Sequence, residues 1–202
     1  MAAAPPTNPT RRQPVTTHPV TWLESRPPER IVGDGVVLQR AHADHVDGLV
    51  EAVRESLPEL QRWMPWAIDD YGPAEAREWQ QGCDDQWPAG DGFAYVILED
   101  DRIVGTVGLI NRLEPGWLEI GYWVRTSSTG KRLARRATAA LIEATRTHLP
   151  EVEGVAIHHA VDNNASRSVP IGLDFVYVGE SEPTPDRPFQ QVTEAVWRLP
   201  LL

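Results

Sequence analysis

Residues 117–141 read WLEIGYWVRTSSTGKRLARRATAAL, and the reading of this stretch decides the fold. Trp117–Val124 is rich in β-branched and aromatic residues, the signature of a strand. From about Lys131 to Leu149 the apolar residues Leu133, Ala137, Ala140, Leu141 and Ala144 recur on one helical face, while Arg132, Arg135, Arg136 and Arg146 mostly lie elsewhere. The loop between the two is built of Ser, Thr and Gly. A loop of this kind feeding a helix presents unpaired backbone N–H groups at the positive end of the helix dipole, which suits an anion such as phosphate. The plainer reading of the same segment, taken alone, is an N-cap by Ser128 or Thr129. Two phosphate-binding motifs do not apply. A P-loop requires glycine where Arg125 stands and Ser or Thr where Arg132 stands, and the dinucleotide fingerprint requires more than one glycine.

Working outward, Gly154–Val161 is a further strand, so the strand–helix–strand run from Trp117 to Val161 reads as a parallel crossover unit. Upstream, Phe93–Leu98 and Arg102–Ile110 are strands joined by a Glu-Asp-Asp hairpin turn. Before them, Ile31–Arg40 (IVGDGVVLQR) is a strand or small hairpin around Gly-Asp-Gly. His42–Leu60 is a helix with a stripe of Val46, Leu49, Val50 and Val53. Pro58 and Pro65 then introduce an irregular aromatic loop with Trp63, Met64 and Trp66, and Pro73–Gln86 is a second helix. Downstream come a short helix over Asn163–Leu173 and strands at Phe175–Val178 and Gln190–Leu199. The order is one strand, two helices, three strands, a helix, a strand, a helix and two strands. That is an α/β fold with a mixed central sheet of about six or seven strands flanked by helices.

The chain of 202 residues favours one domain, taken as 30–202. Residues 1–29 hold seven of the 18 prolines and read as a mobile tail, with Trp22 and Leu23 available to dock on the body. A net charge of −10 argues against a nucleic-acid partner and suits a cationic small molecule or basic protein. No apolar run approaches the ~20 residues of a membrane helix, and the N-terminal MAAAPPTNPTRRQPVTTHP lacks the apolar core of a signal peptide. Cys83 is the one cysteine, so no internal disulfide forms and a reducing cytoplasm is the expected location. No metal is expected. His158 and His159 are adjacent on a strand and point to opposite faces, and His42 and His45 have nothing nearby to complete a zinc set.

Four segments in this order, LQRWMPW, IVGTVGLINRLEP, LEIGYWV with its TGKRLA loop, and HHAVDNNASRSVPIGLDFVYVGE, resemble the GNAT acyltransferases. Within them the closest resemblance is to the ribosomal-protein N-terminal acetyltransferases of the RimJ and RimL type, over about Ile31–Leu199. The resemblance implies that acetyl-CoA lies between two splayed parallel strands, Trp117–Val124 and Gly154–Val161. It implies a pyrophosphate held by backbone N–H groups of Thr129, Gly130, Lys131, Arg132, Leu133 and Ala134. Asn163 and Ser166, the family's Asn-x-x-Ser, would contact pantetheine and the thioester sulfur. The splayed strand around Tyr122, Trp123 and Val124 would supply the oxyanion donor. Thr129 replaces the family's leading Arg or Gln, while Arg132 and Asp174 stand where the family has glycine. Glycine permits a close backbone approach to phosphate.

The implied activity is direct transfer of acetyl from acetyl-CoA to a primary amine, on a protein N-terminus or a small cationic molecule. The alternative is a non-catalytic module with a degenerate CoA loop. An ammonium must lose a proton before it attacks. Glu119 shares a strand face with Trp117, Gly121 and Trp123 and is the expected base; its competing role is an ion pair with Arg112 or Arg125. Ser166 is the expected acid, or else caps the helix that begins near Asn164. His159 is a second candidate base or a packed histidine. Trp63 and Trp66 either wall the acceptor pocket or belong to the core. Glu180, Glu182 and Asp186 read as a solvated acidic loop. Cys83 lies away from these motifs, which disfavours a covalent cysteine intermediate. Relatives are commonly dimers, and nothing in the chain decides its oligomeric state.

Overall fold

The computed structural model describes residues 22–183 and 192–202. Strands β1 (Arg30–Gly33) and β2 (Val36–Arg40) form a hairpin, so the Gly-Asp-Gly bend yields two strands rather than one and the sheet has eight. Gly35 turns this hairpin at φ +61°, a left-handed conformation that glycine adopts without steric cost. A 3-10 turn (Ala43–His45) leads into α1 (Val46–Leu60), which continues past Pro58 because the proline sits in the last turn. Helix α2 (Pro73–Ala89) starts with proline and stops at Gly90, φ +80°.

Strands β3 (Gly92–Glu99), β4 (Arg102–Ile110) and β5 (Trp117–Val124) form an antiparallel meander. The β3–β4 turn places Asp100 and Asp101 at φ 50° and 59°, matching the twist of the flanking strands. Helix α3 (Leu133–His148) crosses over to β6 (Gly154–Ala160), α4 (Asn164–Ile171) follows, and β7 (Val176–Ser181) and β8 (Glu194–Pro200) close the chain. The spatial order is β1-β2-β3-β4-β5-β6-β8-β7. β5–β6 is the parallel pair, as the crossover predicts.

That pair is short. Its register runs through Trp117↔Gly154, Leu118↔Val155 and Glu119↔Ala156 and then ends. From Ile120 to Val124, β5 keeps β4 on one edge and has no partner on the other. The sheet therefore opens between β5 and β6. One face packs on α3 through Leu118, Ile120, Ile157, Leu133 and Leu141. The other packs on α1 and α2 through Val96, Ile103 and Trp123.

The expected tail divides in two. Residues 1–21 lie outside the described residues. Residues 22–29 are bound to the body, because Leu23 is buried and polar anchors hold the chain around it. Arg26 donates to the Pro88 carbonyl at 2.6 Å, the Glu151 carboxylate accepts from Ser25 N–H at 2.9 Å, and Tyr95 donates to the Pro28 carbonyl at 2.8 Å.

Candidate active site

Where β5 and β6 part, a cleft of about 720 Å³ passes through the sheet. Its walls come from β5 (Ile120, Gly121, Tyr122), β6 (His158, His159, Ala160), the start of α4, the loop after α1, and the segment into β8. Alternation along β5 turns Glu119, Gly121 and Trp123 to the α1/α2 face and Ile120 and Tyr122 to the α3 face.

On the α3 face, Asn163 caps α4. Its Oδ1 accepts from the Ser166 N–H at 3.0 Å. The capping role considered for Ser166 is thus taken by Asn163, and the serine hydroxyl lies 3.0 Å from the Tyr122 hydroxyl. The Tyr122 O–H is also within 3.1 Å of the Ser166 carbonyl. Burial pushes the Tyr122 phenol up to about 12, so it is a neutral proton carrier at physiological pH.

No side-chain cap forms at the start of α3. Arg132 occupies the N-cap with no side-chain hydrogen bond, and the first turn carries no acidic residue. The Thr129 hydroxyl instead donates to the Thr126 carbonyl at 2.8 Å. The first N–H groups of α3, at Leu133 and Ala134, are left uncapped and fit a pyrophosphate. Gly130, at φ +80°, has open space where a side chain would project. Arg132 itself has φ +59°, ψ +25°, the left-handed conformation that glycine would supply. Asp174 likewise has φ +59°. Both residues thus hold a left-handed backbone without being glycine. Lys131 is held by Glu99 at 2.6 Å.

On the other face the structure relocates several expected residues. Glu119 does not line the cleft. It is 4% exposed and forms a two-pronged ion pair with Arg112, whose Nε donates to Oε2 at 2.7 Å and whose Nη2 bonds Oε1. A buried carboxylate needs such a partner, so the ion-pair role is the one present. Arg125 is engaged elsewhere: its Nε donates to Glu55 at 2.6 Å and its Nη2 to Glu51 at 2.7 Å. Those bonds, led by the Arg125 hydrogen bond, hold the Glu55 carboxyl down at about 2. Trp63 lines the cleft, whereas Trp66 packs on Trp123 and Tyr71 in the α1/α2 core. The Trp123 side chain belongs to that core as well, and Val124 packs against the α3-side core, so neither side chain lines the cleft.

His158 and His159 do face opposite ways. The Trp197 Nε1–H can only donate, so His159 Nε2, 3.0 Å away, accepts and Nδ1 carries the hydrogen toward the Ala160 carbonyl at 2.8 Å. Both nitrogens are taken, and burial lowers the pKa of this ring. His158 is different. Its Nδ1 lies 3.8 Å from Glu119 Oε2 and 3.7 Å from Glu194 Oε2, while its buried Nε2 has no hydrogen-bond partner among the described residues. Sequence reading missed the roles of Glu194 and the Tyr122 hydroxyl, because both arise from strand register and not from local spacing. Glu180 accepts from the Tyr177 hydroxyl at 3.4 Å and Glu182 from the Thr193 hydroxyl at 3.1 Å; neither lines the cleft, and Asp186 lies outside the described residues. The Cys83 thiol, buried in α2, is pushed up to about 12 by burial. Among the described residues no three His, Cys, Asp or Glu side chains assemble as a metal set, and no helix is long and apolar enough to cross a membrane.

Comparison with known proteins places this geometry in a wider set. The acetyltransferase (GNAT) domain model matches residues 36–176. The ribosomal-protein-serine acetyltransferase of Escherichia coli is 26% identical over 150 residues, covering 73% of this chain and 83% of that protein. Among solved structures, a RimL ribosomal L7/L12 α-N-protein acetyltransferase in complex with coenzyme A superposes with a TM-score of 0.76 at 23% identity, covering 85% of this chain and 98% of the other. The microcin C7 self-immunity acetyltransferase MccE, in complex with acetyl-CoA and AMP, gives 0.75 at 15% identity, covering 83% and 93%.

Proposed function

Because this chain belongs to the GNAT acetyltransferase family, whose members move acetyl from acetyl-CoA to an amine, we propose that its acceptor is the α-amine of a protein N-terminus. The observation that carries the reading is the break in the β5–β6 pairing after Glu119 and Ala156. It joins two unlike surfaces across one opening: a hydroxyl pair and an uncapped helix end on the α3 face, and carboxylates on the α1/α2 face. An amine entering from the carboxylate side meets the donor without crossing it. The name of the Escherichia coli relative, a ribosomal-protein-serine acetyltransferase, supports a protein N-terminus as the amine. We place the reaction in the cytoplasm, where such acceptors are made.

Acetyl-CoA, when bound, supplies the acyl thioester. The N–H groups of Leu133 and Ala134, with Gly130 giving clearance, would hold its phosphates, and the Arg132 and Lys131 side chains would add cationic charge. Alternate backbone N–H groups of the unpaired β5 edge, at Tyr122 and Val124, would face the carbonyl oxygen as fixed donors, since the Arg125 N–H, and with it the Trp123 N–H, points to β4. Ser166 Oγ would give a proton to the leaving sulfur and recover one through the Tyr122 hydroxyl, which is restored by the proton that the nitrogen sheds after attack. Asn163 keeps Ser166 in place. Glu119 acts in this scheme through Arg112, as a fixed ion pair beside the cleft floor.

Thermal unfolding with and without acetyl-CoA is the first test. A ligand at a hundredfold excess over its dissociation constant adds ~2.7 kcal/mol, a shift of roughly 5–10 °C for a chain of this size. Thiol release with a peptide beginning in serine should then exceed that with spermidine; the reverse order would move the acceptor class to small amines. Ser166→Ala should keep the thermal shift and lower kcat about 100-fold. Unchanged turnover would remove Ser166 from proton donation.

A further inference from the structure

The amine must surrender a proton, and Glu119, held by Arg112 through both oxygens, lies outside the lining of the cleft. A different carboxylate lines the cleft. Glu194 begins β8 opposite Ala160, at the parted end of β6, and its side chain is 16% exposed. No cation stands within ion-pair distance of it among the described residues. Its one charged-group contact at ion-pair distance is His158 Nδ1 at 3.7 Å; the Arg112 guanidinium, closed on Glu119, acts on it only from further away.

His158 is the unusual histidine of the pair. Its side chain is 9% exposed, and Nε2 is buried without a hydrogen-bond partner. A bare nitrogen of this kind in a folded interior calls for a reason. Nδ1 faces two carboxylates, so the ring hydrogen belongs there and Nε2 keeps its lone pair. Glu119 cannot draw that Nδ1–H strongly, since Arg112 already neutralises it. Glu194 can.

We propose that Glu194 is the proton acceptor for the incoming amine and that His158 is its positioning partner, with Nδ1–H steadying the carboxylate from below. The inference rests on the acetyltransferase reading above and adds the residue that reading lacks. An ammonium in the cleft is drawn to this carboxylate, on which no arginine or lysine among the described residues closes. Its N–H bond breaks as an O–H bond forms on Glu194, and the freed lone pair attacks the acetyl carbon. The C–S bond breaks with its electron pair on sulfur, and the second N–H proton passes to the Tyr122–Ser166 pair to replace the one given to sulfur. After transfer the proton leaves to solvent through the cleft mouth. Acceptor and donor then stand on opposite sides of the opening, Glu194 and His158 on the α1/α2 face and Ser166 with Tyr122 on the α3 face.

The pH profile tests this. The groups facing the pair are Glu119 and Arg112 from β5 and the loop before it, Glu114 and Arg198 at the far end of β8, His159 across β6, and Arg62 and Asp162 on the cleft walls. An α-amine titrates near ~8, so its need for a base fades as pH rises. Glu194→Gln should lower kcat/KM for a serine-initiated peptide about 100-fold at pH 7 and only several-fold at pH 9, with the acetyl-CoA thermal shift unchanged. His158→Gln should move the acidic limb of kcat and cost less than Glu194→Gln. Full activity in Glu194→Gln at pH 7, or a loss that is the same at both pH values, overturns the proposal. A wild-type chain with no acetyl-CoA thermal shift instead overturns the underlying reading. A measurement independent of turnover is the pair of His158 ring-nitrogen chemical shifts by NMR in the full chain, where Glu194→Gln should move the Nδ1 signal; an unchanged Nδ1 signal breaks the pairing.

Discussion

Two clusters in this protein are built from the same parts, an arginine and two carboxylates, and they differ in whether the charges close. In the first, Arg125 is buried between Glu51 and Glu55, and Arg102 adds a second cation at 3.0 Å from Glu51. Its carboxylates also order backbone: Glu55 accepts the Ser127 N–H at 3.1 Å, and Ser56 accepts the Thr126 N–H at 3.0 Å. The cluster ties α1 to the turn that leads into α3. In the second, Arg112 closes on Glu119 but leaves Glu194 with only a histidine, and that histidine has an idle nitrogen. A closed cluster is structural, and an open one lining a cleft is where a proton can be taken up. Charge closure, not burial, separates the two.

Removing each arginine should expose that difference. Arg112→Met strands Glu119, a carboxylate that is 4% exposed. Breaking a fully buried pair costs ~3–5 kcal/mol; because Arg112 is itself 37% exposed, about 2–3 kcal/mol is expected, or a fall in Tm of roughly 5–10 °C. His158 stands 3.8 Å from the stranded carboxylate and is the remaining side chain that can face it, so adding His158→Gln to Arg112→Met should deepen the loss. An unchanged Tm in Arg112→Met would break the claim that this ion pair is needed.

Arg125→Met should cost less. Glu51 and Glu55 are 62% and 33% exposed and return to water when the arginine is gone, so a fall in Tm of roughly 2–5 °C is expected. The sharper signal is in acid. Arg125 lowers the Glu55 carboxyl from 4.5 to about 2. A carboxylate depressed in the folded state stabilises the protein above its unfolded value and ceases to do so as pH falls through its folded value. Wild-type stability should therefore decline between pH 4.5 and 2 partly through Glu55, and Arg125→Met should flatten that part of the curve. An unaltered acid limb would show that Glu55 is not coupled to Arg125.

How far the sequence carried the reading follows the range of each interaction. The crossover from Trp117 to Val161 and the hairpin at Asp100 and Asp101 are local and were legible from spacing alone, whereas Asn163 and Ser166 were read through the family resemblance, with Ser166 and not Asn163 as the candidate cap. The Ile31–Arg40 stretch was legible only as strand or hairpin, because one glycine decides it. Glu119 carried two roles in the sequence, and the choice depended on whether Arg112, across the turn from β4, could reach it. Trp63 and Trp66 looked alike in LQRWMPW; they part because one side chain meets the cleft and the other meets Trp123. Glu194 carried no signal at all. It becomes visible only when β8 pairs with β6 out of chain order and brings position 194 opposite Ala160.

A third arginine carries the comparison to the other side of the cleft. Arg132 is exposed and pairs with no carboxylate among the described residues, so it is a free cation on the cofactor side as Glu194 is a free anion on the acceptor side. It also holds a left-handed backbone, φ +59°, which costs a side-chain-bearing residue roughly 1–2 kcal/mol. Arg132→Gly removes that strain but gives the unfolded chain more freedom, so the net gain should stay below about 1 kcal/mol, or roughly 1–3 °C in Tm. Asp174→Gly, at the same φ, should gain less because aspartate tolerates this conformation better than arginine. Affinity decides what the arginine is for. If its guanidinium meets a phosphate, Arg132→Gly should be more stable alone yet bind acetyl-CoA several-fold more weakly, with the loss shrinking at high salt. A more stable variant with unchanged affinity would mean that the backbone N–H groups of α3 hold the phosphates by themselves, and that the positive charge at 132 is incidental to binding.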